Sequence, residues 1–217
     1  MTKAIQAKAD VAAYMQRLYN KGLTTCSGGN ISIRLSKNQI AITPSGVDKS
    51  FLTSDDIIIC DMSGKAIKAK HKASMETAMH LAIYKARPDV HAVVHAHPPY
   101  ATAFSTTNHE INTALTGETR ALLGKPETAT YACMGSSKLA ESAGKASLKT
   151  NTILLSNHGA ITLGTNIFEA YNRMEVLEAA AHVCYISKML GKEKPLSSKQ
   201  TKDIDTFFKS YSKKTAK

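Results

Sequence analysis

Apolar positions along the chain follow two periods, one helical and one alternating, and the switches between them lay out the elements. Residues 4–21 carry the helical period, with Val11, Met15, Leu18 and Tyr19 on one face and Gly22 just past the end. Alternation then predicts strands at Ile31–Leu35 and Gln39–Ile42, and a short buried strand at Asp56–Cys60. Asp61-Met62-Ser63-Gly64 reads as a hairpin turn, with Lys65 to Lys70 as the return strand. Residues 74–87 read as a helix with Ser74 at its N-cap and Ala78, Leu81, Ala82 and Tyr84 as apolar contacts. Arg87-Pro88-Asp89 ends it.

Next comes Val93-Val94-His95-Ala96-His97-Pro98-Pro99, a strand stopped by two prolines, then a helix from about Tyr100 to Ser105. Residues 107–134 show no clear period and read as loops around a pocket. Residues 135–148 look helical, while Thr152–Leu155 and Ala160–Gly164 read as strands. A long helix covers 166–190, with Ala170, Met174, Leu177, Ala181, Cys184 and Met189 available for packing before Gly191 stops it. Residues 198–210 form a last helix, and a loose basic tail is expected at about 212–217. No repeat or low-complexity linker interrupts this order. The pattern predicts a single α/β domain over 1–217, layered around a mixed sheet.

The chemistry concentrates in the strand that the prolines stop. Residues two apart in a strand share a face, so His95 and His97 point the same way. Two imidazoles begin a metal site, and His158 in Ser156-Asn157-His158-Gly159 and Glu76 in Ser74-Met75-Glu76 are candidates to extend it. Three imidazoles and one carboxylate suit Zn²⁺, and an exchangeable position makes such a site catalytic. His80 follows Glu76 by four residues, so the pair would share a helix face and offers a weaker metal alternative. His71, His91, His109 and His182 read as structural or exposed. Two glycine- and hydroxyl-rich turns, Ser27-Gly28-Gly29-Asn30 and Thr43-Pro44-Ser45-Gly46, can present backbone N–H groups to an anion, although ordinary turns have the same composition.

A formal net charge of +11 raises the question of nucleic acid. The lysines are spread along the chain, nine of them between Lys188 and Lys217, without an arginine cluster or interleaved aromatics. A solvated surface that attracts anionic substrates explains the charge, and no nucleic-acid partner is expected. No apolar run approaches the ~20 residues of a membrane span, so no membrane partner is expected either. Met1-Thr2-Lys3-Ala4-Ile5-Gln6 lacks an apolar signal core, and Cys26, Cys60, Cys133 and Cys184 are scattered. Free thiols and a cytoplasmic location are the expectation.

In order, the segments Ser27–Ser32, Thr43–Gly46, Ser74–Glu76, Val93–His97 and Asn157–Gly159 resemble the class II aldolase/adducin head-domain family. The resemblance runs from residue 4 to about 211. It implies a three-layer α/β/α fold with a central mixed, mainly antiparallel sheet, and a homotetramer with sites at subunit interfaces. It implies one zinc per chain on His95, His97 and His158. Glu76 would ligate the ion and serve as acid/base. Ser27, Asn30, Ser45, Gly46 and Ser74 would hold a substrate phosphate. The implied reaction cleaves or forms the C3–C4 bond of a ketose 1-phosphate, giving dihydroxyacetone phosphate and an aldehyde. The chain departs from the pattern at Met75, where a second serine is common, and at Thr116, where a neighbouring subunit's tyrosine is expected. Tyr211 matches a C-terminal catalytic tyrosine. Same-family sugar-phosphate epimerases, dehydratases and decarboxylases, and a non-catalytic adducin-like binding module, are the alternatives. The related epimerases carry aspartate where Glu76 stands, and a scaffold has no need of the histidine set.

Overall fold

Strand β5 (Ala92–Ala96) is buried at every position, as a central strand with both faces covered must be. The computed structural model describes residues 2–67 and 69–215. Around β5 lie β1 (Asn30–Arg34), β2 (Gln39–Ile42), β3 (Ile58–Asp61), β4 (Ala66–Ile67), β6 (Glu127–Ala129), β7 (Thr152–Leu155) and β8 (Gly159–Gly164). They form one sheet in the order β4-β3-β2-β1-β5-β8-β7-β6. Among the described residues only β6 and β7 run parallel; every other neighbouring pair is antiparallel. The mixed, mainly antiparallel sheet is therefore as the sequence implied.

Alternation within the strands divides the core in two. Ile31, Ala92, Val94 and Leu154 face α1 (Lys3–Asn20), α3 (Pro99–Ser105) and α6 (Ile167–Leu190), which contribute Val11, Met15, Ala101, Met174 and Leu177. Ile40, Ile42, Val93, Ile161 and Leu163 face α2 (Thr77–Ala86) and α5 (Ser137–Ser147), which contribute Met79, Ile83, Leu139 and Ala143. The result is a three-layer α/β/α arrangement. Arg87 ties the α2 and α5 ends together by donating to the Ser147 carbonyl at 2.6 Å and to Asn151 Oδ1 at 3.0 Å. No helix of the described residues is long and apolar enough to cross a membrane, and all four cysteines are free thiols.

Several boundaries differ from the sequence expectation. Helix α2 begins at Thr77 rather than residue 74, with Glu76 in the N-cap position. The return strand shrinks to Ala66–Ile67, both exposed; the edge strand has no face to bury, and Lys68 lies outside the described residues. The stretch 107–134 is not all loop. It holds a 3₁₀ turn at Thr113–Leu115, α4 (Gly117–Leu123) and β6, all too short to show a period. Helix α7 (Ser198–Thr215) continues through the start of the expected loose tail; 216–217 lie outside the described residues. Tyr19, Ala78 and Met189 turn outward, one position off their helices' buried stripes.

Candidate active site

His95 lies inside β5 on the α2 side, and His97 follows one residue after the strand's end, where its backbone N–H donates to the Leu23 carbonyl at 3.1 Å. Their rings stand 4.9 Å apart. His158 arrives from the opposite direction, on the three-residue hairpin between β7 and β8. That turn closes through a His158 N–H bond to the Leu155 carbonyl at 3.1 Å. It places Asn157 in the left-handed region at φ 54°, which asparagine tolerates better than most residues. One ligand atom from each of His95, His97 and His158 then lies within 4.8 Å of the others.

These three rings and Glu76 fit a divalent cation. His95 Nδ1 donates to the Ala160 carbonyl at 2.9 Å, which turns Nε2 towards the cluster. Glu76 Oε2 lies 3.1 Å from that Nε2, and Oε1 lies 3.4 Å from His158 Nε2. His95 Nε2, both His158 ring nitrogens and Glu76 Oε1 are buried without a hydrogen-bond partner. Buried polar atoms left so cost ~1–3 kcal/mol each, and a metal ion bound among these donors would satisfy several at once. Burial pushes the imidazolium of His97 down to about 3 and that of His158 to about 4, with His95 adding to both. Neutral rings are the form that binds metal. Burial alone would raise the Glu76 carboxyl, but His95 beside it, the Asn30 hydrogen bond and His158 outweigh burial and hold it well below the usual carboxylate range.

Behind Glu76 runs a buried relay. Asn30 Nδ2 donates to Glu76 Oε2 at 2.8 Å, and His80 Nε2 donates to Asn30 Oδ1 at 2.5 Å. Ser32 Oγ donates to His80 Nδ1 at 2.7 Å and stands 2.8 Å from the Tyr84 hydroxyl, which donates to the Ser32 carbonyl at 3.0 Å. Burial keeps His80 neutral, pushed down to about 3, as one donating and one accepting nitrogen require. This corrects the alternative metal pair. Both His80 nitrogens are occupied, and Glu76 precedes the helix rather than sharing its face. Sequence reasoning gave Tyr84 only an apolar packing role and Ser32 no polar role of its own; the signal was a serine inside an alternating strand opposite His80 and Tyr84 at helical spacing.

Three loops meet at this point, laced by backbone bonds. Lys49 N–H donates to the Cys26 carbonyl at 2.8 Å, Ser45 N–H to Lys72 at 2.9 Å, and Ser74 N–H to Thr43 at 3.2 Å. Ser74 Oγ accepts from Glu76 N–H at 3.2 Å, so it holds the turn before α2 rather than capping the helix. The cleft between the loops brings together Ser27, Asn30, Ser45, Gly46, Ser74 and Glu76 with His97 and His158. Met75, 70% exposed, and Lys49, which sequence reasoning did not single out, also line it. Tyr211 is not brought there. It lies on α7, stacked on Phe207 with ring centroids 6.2 Å apart. Thr116 caps α4 by accepting from Thr119 N–H at 3.3 Å.

Residues 9–185 match the family described as Class II Aldolase and Adducin N-terminal domain. The chain belongs to this family. It is 41% identical over 173 residues to an L-fuculose phosphate aldolase of Methanococcus maripaludis, covering 80% of this chain and 93% of that protein. It is 31% identical to a 5-deoxy-D-ribulose 1-phosphate aldolase of Bacillus thuringiensis, covering 94% and 96%. It is 32% identical to a 3-oxo-tetronate 4-phosphate decarboxylase of Haemophilus influenzae, covering 86% and 90%. A solved structure of an L-fuculose 1-phosphate aldolase superposes with a TM-score of 0.87 at 32% identity, covering 94% of this chain and 96% of that one.

The class II aldolase cluster depends on a close approach at Gly159. A Cβ there would stand 2.5 Å from the Ala96 carbonyl oxygen and 2.7 Å from His97 Cδ2. Gly159→Ala is expected to push β5 and His97 away from His158. The expected readouts are stability lower by ~1–3 kcal/mol in urea titration and metal content well below that of the parent.

Proposed function

We propose that this chain is a zinc-dependent class II aldolase that cleaves or forms the C3–C4 bond of a ketose 1-phosphate, with dihydroxyacetone phosphate and an aldehyde as the other reaction partners. The observation that carries this reading is the convergence of three imidazoles and Glu76, with partnerless donor atoms, at the edge of a cleft built from three laced loops. His95, His97 and His158 would hold the ion, with Glu76 as a further ligand. When bound, the ion supplies a Lewis acid that polarises the substrate carbonyl beside the bond that breaks. Ser27, Asn30, Ser45, Gly46 and Ser74 hold the phosphate. Glu76, fixed by Asn30, moves the proton at the carbon released by the broken bond. The aldolase names among the relatives support this chemistry.

The cleft holds about 100 Å³, whereas small-molecule sites usually measure ~300–1,000 Å³. One chain's walls thus suit the phosphate end of a substrate, and a neighbouring copy would supply the rest. We infer a homotetramer with sites at subunit interfaces, in which Tyr211 would serve a neighbouring copy's cleft as the second proton-moving group. A cytoplasmic location fits a phosphorylated substrate. Decarboxylation of a sugar-acid phosphate is the second reading, favoured by the decarboxylase relative. Short-chain aldehydes screened with dihydroxyacetone phosphate, beside ribulose 5-phosphate and sugar-acid phosphates, separate the two. C–C bond formation is expected; carbon dioxide release alone would replace the aldolase reading with the second.

Protein purified without added metal should carry about one divalent ion per chain by elemental analysis, and chelation should abolish turnover until zinc is returned. Full activity in metal-free protein would sink the metal reading.

Glu76→Gln should keep fold and metal but lose ~10²–10⁴-fold in kcat, because an amide cannot accept the proton. Equal rates for variant and parent would remove Glu76 from proton transfer.

Met75 stands where a second phosphate-binding hydroxyl is common. Met75→Ser should lower KM for the phosphorylated ketose by up to ~10-fold with a smaller change in kcat. A change confined to kcat would place residue 75 away from the phosphate.

A further inference from the structure

Lys49 takes a positive charge into the interior. It is 2% exposed. None of the ion pairs among the described residues includes it. Its Nζ donates to one protein acceptor, the neutral Pro44 carbonyl, which leaves two of its three donors without a recorded acceptor. A buried ammonium without a counter-charge is costly, and a neutral carbonyl offsets little of that cost. Burial accordingly pushes the amine down to about 8.

Its position gives the charge a use. The backbone N–H of Lys49 is bonded to Cys26, just before the Ser27-Gly28-Gly29-Asn30 loop. The side chain ends at Pro44, where the Pro44-Ser45-Gly46 turn starts. Lys49 is therefore strung between the two hydroxyl- and glycine-rich loops. Among the described residues that line the cleft it is the one lysine or arginine.

We propose that Lys49 is the counter-ion of the substrate phosphate: its buried ammonium, unpaired in the protein alone, is neutralised by a phosphate dianion seated between the Ser27–Asn30 and Ser45–Gly46 loops. This rests on the reading of the cleft as a phosphorylated-substrate site and adds the residue that supplies its charge. A phosphate accepting from Nζ gains a charge-assisted hydrogen bond in a place shielded from water. The hydroxyls and backbone N–H groups shape the cradle, and Lys49 supplies affinity for charge.

The competing role is a tether, in which Lys49 only holds the two loops through Pro44. Inorganic phosphate titrated by calorimetry into the intact protein, with its metal as purified, separates the two. Lys49→Gln can still donate to Pro44 but carries no charge; Lys49→Met can do neither. The counter-ion role expects both variants to lose ~10- to 100-fold in phosphate affinity at pH 7, with metal content unchanged and a Tm equal to or above that of the parent. Parent-like affinity in Lys49→Gln alone would overturn the proposal in favour of the tether, and parent-like affinity in both would overturn it outright. Should neither variant fold, a crystal grown from the parent protein and soaked in phosphate still decides. Nζ within ~4 Å of a phosphate oxygen is expected, and a phosphate seated out of reach of Nζ overturns the proposal. Phosphate binding is read without turnover, so a failed aldolase assay beside an intact Lys49-dependent phosphate site would sink the aldolase reading alone.

Discussion

The pairing of β1 with β5 is the constraint on which the site depends. It joins two halves of the sheet, β4-β3-β2-β1 and β5-β8-β7-β6, and its register sets Asn30 opposite His95. A slip of one residue would turn Asn30, His95 and every apolar neighbour to the wrong face. With the register fixed, Asn30 reaches Glu76 on one side and His80 on the other. The next pairing, of β5 with β8, puts Ala96 opposite Ala160 and so brings the His158 hairpin to His97. The close packing at Gly159 is the same constraint seen at a single residue. The candidate ligands thus come from segments far apart in the chain, yet backbone hydrogen bonds set their spacing.

Much of this was legible in the sequence. His95 and His97 show themselves by strand alternation, and the glycine-hydroxyl turns by composition. Together with Asn157-His158-Gly159 they carried a resemblance that the family match supports. What escaped was nonlocal. Glu76 and His80 look like a helical pair until the helix is seen to start at Thr77. The stretch 107–134 hid α4 and β6 because seven and three residues are too few to reveal a period. The parallel β6–β7 pairing is made across a chain separation that no local pattern records. Lys49, between Asp48 and Ser50, looks like any surface lysine; only the two loops folding over it bury the charge.

Stability and function pull against one another in this cleft. Glu76, the partnerless imidazole nitrogens and Lys49 all bury polarity that the protein alone satisfies incompletely. The surrounding fold tolerates this because both core layers are closely packed around it and the relay behind Glu76 is fully bonded. Ligands that bind the folded state but not the unfolded chain recover the deficit by mass action. A cation among the histidines and an anion beside Lys49 would do so within one cleft.

The same logic gives Lys49 a sign in the pH dependence of stability. Its folded value of about 8 lies below the usual 10.5. Between those values the unfolded chain binds more protons than the folded one, so this residue's contribution makes the fold more stable as pH rises through that window. Below pH 8 both states are protonated and the full cost of the buried charge is present. A bound phosphate reverses the trend by favouring the ammonium. In this cleft the charged form is the destabilising one until an anion arrives, which is the behaviour the proposed counter-ion role requires.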